Sequence, residues 1–142
     1  MEIIEIQEYS EDVLAVLNEL MPQLSASFSP LSETDLRAIV ESDASSLYMA
    51  VESNRYYGSL TLVKFNIPSG IRAWIEDVVV SEKARGKGVG KKLVEHAIHV
   101  ANQSNVKSID LTSRSSRVAA ISLYEKLGFQ DRETTVYRYH GP

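Results

Sequence analysis

A chain of 142 residues can bury one real core and is short for two, so residues 1–142 are expected to form a single domain with one site. Hydrophobic residues at 44% and charged residues at 24% exclude large-scale disorder, and a formal net charge of -4 argues against a general nucleic-acid binder, which needs a broad basic surface. Cysteine is absent, which removes disulfides, thiolate metal sites and a cysteine nucleophile.

Ile3, Ile4 and Ile6, with charge between them, predict an opening strand. Ser10-Glu11-Asp12 then starts a helix with Val13, Leu14, Val16, Leu17 and Leu20 at helical spacing, and Pro22 breaks it. Ser25 to Pro30 reads as a loop, and Ser32-x-x-Asp35 resembles a capping box before a second short helix carrying Leu36, Ile39 and Val40. Leu47 to Val51 and Tyr56 to Phe65 are strand-like runs joined at Ser53-Asn54-Arg55. Ile67-Pro68-Ser69-Gly70 turns the chain into a third run, Ile71 to Val80, so the middle of the chain predicts an antiparallel meander. Strict alternation along this third strand assigns Arg72, Trp74, Glu76, Val78 and Val80 to one face, and Ile71, Ala73, Ile75, Asp77 and Val79 to the other.

From Val89 the residues Leu93, Val94, Ala97, Ile98 and Ala101 predict a core-facing helix that ends near Asn102 to Asn105. Lys107 to Leu111 is a short strand that right-handed crossover places parallel to Ile71 to Val80. Ser116 is expected to cap a last helix with Ala120, Leu123, Tyr124 and Leu127 on one face and Gly128 at its C′ position. Phe129 to Gln130 and Thr134 to Tyr139 read as two closing strands. The order β-α-α-β-β-β-α-β-α-β-β is an α/β fold, a mixed and mostly antiparallel sheet of about seven strands flanked by about four helices.

Arg85-Gly86-Lys87-Gly88-Val89-Gly90 joins a strand to a helix, and its alternating glycines leave backbone N–H groups open to an anion at a helix N-terminus. Arg85, Lys87, Lys91 and Lys92 gather positive charge there in an otherwise acidic chain. The dinucleotide fingerprint and the Walker A loop both fail on count, because Lys91 stands where each needs a glycine. What remains, R-x-x-G-x-G at Arg85, Gly88 and Gly90, resembles the pyrophosphate-binding motif of the GNAT superfamily of acyl-CoA N-acyltransferases. Leu123-Tyr124-Glu125-Lys126-Leu127-Gly128-Phe129 is similar to the Y-x-x-x-G-F signature that ends the last helix of that family, and the element order resembles its fold from end to end.

The resemblance implies acetyl-CoA as acyl donor, its pyrophosphate held by Arg85, Gly86, Lys87, Gly88, Val89 and Gly90 with Lys91 adjoining, and its pantetheine arm paired to Val78, Val79 and Val80. It also implies an N-acetyltransferase acting on a primary amine of a small molecule, peptide or protein, with Tyr124 as general acid. Two consecutive carboxylates in a strand as apolar as Ile71 to Val80 are costly unless paired or used, which makes Glu76 the candidate base; a structural partnership with Arg72 or a helix N-terminus is the competing role, and Asp77 is read as structural. Many relatives carry Asn seven residues before the tyrosine, whereas this chain has Arg117, so the roles of Arg114 and Arg117 are unassigned. An acyl-CoA-binding sensor without turnover is the alternative function.

His96, His99 and His140 form no metal motif, and no metal is expected. No apolar stretch approaches the length of a membrane span, and Met1 opens onto Glu2 and Glu5 without a basic segment, so neither a membrane nor a nucleic-acid partner is expected and a cytoplasmic location is the default. Oligomeric state is open, a homodimer included.

Overall fold

The β-branched opening run forms β1 (Glu2–Ile6), one edge of a five-stranded sheet in a computed structural model that describes residues 1–142 in two units, 1–112 and 113–142. In the first unit β2 (Ser45–Glu52), β3 (Arg55–Ile67) and β4 (Gly70–Val80) follow in antiparallel order. Ser53 and Asn54 join β2 to β3 with φ of 50° and 61°, the positive values that a two-residue hairpin loop requires. β5 (Ser108–Asp110) lies parallel to β4, as the crossover through α3 (Val89–Gln103) predicts.

Two helices start where short polar side chains can satisfy their first N–H groups. Ser10 Oγ accepts from Val13 N at the head of α1 (Glu11–Leu20). Ser32 and Asp35 complete the expected capping box of α2 (Glu33–Val40), with bonds of 3.1 and 2.8 Å. Leu47 and Met49 of β2 join Ile6, Val13, Leu17 and Leu36 in one cluster, so α1 and α2 cover that face of the sheet. Tyr48, of opposite parity, meets His96 of α3 edge-on with ring centroids 4.7 Å apart, so α3 covers the other face. Leu93 and Val94 of α3 are fully buried; each contributes about 1.5–3 kcal/mol through that burial.

The expected strict alternation along β4 fails at Glu76-Asp77. Thr61 pairs with Glu76 but Ser59 pairs with Val79, so two residues of β4, Asp77 and Val78, stand opposite Leu60 alone. This is a β-bulge, with Asp77 at φ 50°, and it reverses the parity of everything after it. Arg72, Trp74 and Glu76 share the α1 face as expected. Val78 and Val80 move to the α3 face and Val79 to the α1 face, contrary to the sequence reading, because pairing partners share a face.

The second unit holds α4 (Val118–Lys126). Its N-cap is Arg117 without a side-chain bond, so Ser116 does not cap it as expected. Leu127, Gly128 and Phe129 close it with a complete Schellman motif: Phe129 N donates to Tyr124 O at 3.0 Å and Gly128 N to Glu125 O at 3.1 Å, with Gly128 at φ 98°. No strand forms at Phe129 to Gln130 or Thr134 to Tyr139, which brings the sheet to five strands rather than about seven. Alternating β-branched and aromatic residues suit a strand, but a strand exists only where its N–H and C=O groups meet another, and residues 131–142 are exposed throughout.

Candidate active site

The loop from Arg85 to Gly90 is built around two left-handed residues, Gly86 at φ 78° and Gly88 at φ 76°. A Cβ at either position would meet nothing within 4 Å, so both face open space and are required for conformation rather than for packing. Gly88 is the N-cap of α3 and supplies no side-chain cap, no acidic residue stands in the first turn, and the first intrahelical bond of the turn is Lys92 N to Gly88 O at 3.1 Å. The leading N–H groups are therefore left to an outside acceptor. Arg85, Lys87, Lys91 and Lys92 are all exposed around them. Lys91 makes only a loose i, i+4 contact with Glu95, at 3.8 Å. The pKa of Glu52 is lowered first by the hydrogen bond and charge of the Met1 ammonium, and further by the charges of Lys87 and Lys92.

A missed residue fixes where this loop sits. Gly58 of β3 pairs with Val80, and a Cβ there would fall 2.8 Å from Val79 O and 3.2 Å from both Leu93 Cδ1 and Val89 Cγ1. Only a bare backbone lets the first turns of α3 settle onto the end of β4. A glycine inside a strand run was the available signal.

β5 pairs only with Arg72, Ala73 and Trp74, so within the first unit its ladder stops before Ile75. Beyond that point β4 continues through Val78, Val79 and Val80, with β3 on its other side. Those three valines thus lie on a strand edge that β5 does not reach, which is what pairing with an extended polar chain requires.

Glu76 is exposed and stands at the bulge, on the α1 face. Its pKa is raised above the ordinary 4.5, first by partial desolvation and then by the charge of Asp77 beside it. Arg72 donates instead to Ser69 Oγ, at 3.4 Å. In the second unit Tyr124 is the buried side chain of α4, set edge-on to Phe129 with centroids 6.0 Å apart. Burial raises its pKa above 10.0, and the Arg117 charge pulls the other way. The Y-x-x-x-G-F pattern thereby acquires a local physical reason: the aromatic pair is the C3 to C″ contact of the helix stop, and Gly128 is its left-handed residue.

The described residues include no group of His, Cys, Asp and Glu arranged to hold a metal, and no helix is long and apolar enough to cross a membrane.

A family model described as "Acetyltransferase (GNAT) family" matches residues 13–129. The chain is 26% identical over 135 residues to N-alpha-acetyltransferase 30 of Schizosaccharomyces pombe, covering 94% of this chain and 85% of that protein. It is 37% identical over 60 residues to spermine/spermidine N(1)-acetyltransferase of Bacillus subtilis, covering 42% of this chain and 40% of that protein. Among solved structures, a putative acetyltransferase from Agrobacterium tumefaciens superposes with a TM-score of 0.86 at 24% identity, over 99% of this chain and all of that one, a likeness of fold.

Proposed function

The chain belongs to the acetyltransferase (GNAT) family and is an acyl-CoA-dependent N-acetyltransferase, and we propose that it moves acetyl from acetyl-CoA to a primary amine with Glu76 as general base and Tyr124 as general acid. The observation that carries this reading is the uncapped, left-handed glycine loop at the head of α3, beside a β4 edge that β5 leaves unpaired.

The residues present fit the donor. Backbone N–H groups of Gly86, Gly88, Val89, Gly90 and Lys91, with the Arg85 and Lys87 side chains, would hold its pyrophosphate, while the Lys87 N–H stays on Ala84 O, and the free edge at Val78, Val79 and Val80 would take the amides of its pantetheine. Bound there, acetyl-CoA supplies an activated thioester. Glu76, with its pKa raised, is a better base than an ordinary carboxylate and takes a proton from the acceptor ammonium, directly or through a water. The free amine then forms the new C–N bond as the C–S bond breaks, and the second proton that its nitrogen sheds to become an amide restores the Tyr124 phenol once that phenol has given its own proton to the thiolate. Tyr124 keeps its proton across the neutral range and gives it to the departing thiolate. The curated relatives carry the names N-alpha-acetyltransferase and spermine/spermidine N(1)-acetyltransferase, which supports an amine of a small molecule, peptide or protein as the acceptor class.

The test is the pH dependence of kcat/KM. The sign follows from the two shifts: the base must be ionised, so the acid limb lies above 4.5, and the acid must be protonated, so the alkaline limb lies above 10.0. Glu76→Gln should lower kcat/KM by about 10²–10⁴-fold and remove the acid limb, and Tyr124→Phe should remove the alkaline one. Unchanged limbs in both variants would defeat the assignment.

A further inference from the structure

We infer, on the reading of Glu76 as the base, that Asp77 is a positioning residue for the transfer, holding an unpaired negative charge beside Glu76 at the bulge of β4. Four residues other than glycine have a positive φ. Ser53 and Asn54 lie in the hairpin loop and Asn105 just past the end of α3, where turns ask for that backbone. Asp77, at φ 50°, is the one inside a strand. Glycine would take this conformation at lower cost, and strain of this kind persists where a site uses it. A structural aspartate would be held by a partner, yet neither the Asp77 nor the Glu76 side chain makes a hydrogen bond or an ion pair, and both are exposed.

What Asp77 brings is charge. Consecutive Cα atoms are about 3.8 Å apart, so the two carboxylates are neighbours on the scale of ~8–10 Å over which ordinary salt screens. Glu76 is exposed, so desolvation, the larger cause of its raised pKa, is only partial, and the charge of Asp77 is the second cause. Thr61, the ladder partner of Glu76, does not titrate, and the Met21–Gln23 turn that packs against β4 has no titratable side chain. Within the first unit, register adds Arg72 and Asp110 to the face of Glu76, Asp110 opposite Trp74, and Arg72 donates to Ser69 Oγ rather than to either carboxylate. Glu11, Asp12 and Glu19 of α1 are exposed, and Lys91, Lys92, Glu95, His96 and His99 belong to α3 on the opposite face. Asp77 is the one charge among them behind the rise. A like charge without a partner of its own favours the protonated form of Glu76, which makes the ionised carboxylate the stronger base.

The test titrates Glu76 directly, by carbon-13 NMR of the glutamate carboxyl groups in the full chain, with Glu76→Gln to assign the signal, and measures the acid limb of kcat/KM beside it. Asp77→Asn and Asp77→Gly remove the charge and keep a residue that tolerates the left-handed backbone. In both, Glu76 should ionise at lower pH, the acid limb should move down with it, and kcat/KM above the limb should fall about two- to fivefold as the base weakens. Asp77→Glu keeps the charge and should keep the wild-type limb, even though its poorer fit to the left-handed backbone lowers Tm. Raising NaCl from about 0.05 M to about 1 M should move the wild type toward Asp77→Asn and move that variant less. A Glu76 titration equal in the wild type and Asp77→Asn, or a limb unmoved in Asp77→Asn while Glu76→Gln abolishes it, would overturn the inference and leave the base in place. A limb that survives in Glu76→Gln would instead overturn the base reading, and the inference with it, whatever the NMR titration shows.

Discussion

Gly58→Ala adds one methyl group at the place where the sheet meets the head of α3. The new carbon would lie 2.8 Å from Val79 O, closer than carbon and oxygen approach, and 3.2 Å from Leu93 Cδ1 and Val89 Cγ1. The leucine and valine tips can give by a few tenths of an ångström. The carbonyl cannot give as easily, because Val79 is held in its pairing with Ser59 beside the bulge. Overpacking of this kind costs about 1–3 kcal/mol, which lowers Tm by roughly 4–12 °C in a domain of this size. The only low-cost relief is for α3 to lift from its N-terminal end, so the Arg85 to Gly90 loop should move with it and CoA should bind more weakly. Thermal denaturation with and without CoA reads both effects. The variant should melt lower, and CoA should stabilise it less than it stabilises the wild type. A variant with unchanged Tm and unchanged CoA stabilisation would refute the claim that close packing at Gly58 sets the loop.

Other substitutions probe separate parts of the account. Gly128→Ala forces a side chain into a left-handed position at φ 98°; with nothing within 4 Å of the new carbon, only conformational strain of about 1–2 kcal/mol is expected, seen as a Tm about 4–8 °C lower. The pKa of His96 is lowered below 6.5, first by desolvation and then by His99, with Glu5 opposing. A depressed histidine means that the unfolded chain binds the proton more readily, so stability is present above 6.5 and is lost as pH falls through the lower, folded value. Tm measured from neutral to acid pH should therefore drop in the wild type, and His96→Gln should flatten part of that slope.

The elements were legible because each has a local cause. Ser10 and the Ser32-Asp35 box mark two helix starts, Ser53-Asn54 marks a hairpin, and Gly86 and Gly88 mark a left-handed loop before α3. The Y-x-x-x-G-F pattern could be read as a motif, and the Schellman stop at Gly128 explains its spacing. What stayed hidden depends on partners in space. The bulge at Asp77 follows from how β3 and β4 pair, and no period-two count along β4 alone could reveal it. The absent closing strands are the same lesson in reverse, since Thr134 to Tyr139 has the composition of a strand without the ladder. Ser116 loses the cap because α4 begins after Arg117.

Amine-dependent release of the CoA thiol tests the central claim most directly. The purified chain, given acetyl-CoA and a panel of peptide N-termini and small amines, should release thiol in step with acetylated amine, and Glu76→Gln should slow that release about 10²–10⁴-fold while still binding CoA. CoA binding without thiol release for any amine would contradict the account and leave an acyl-CoA sensor.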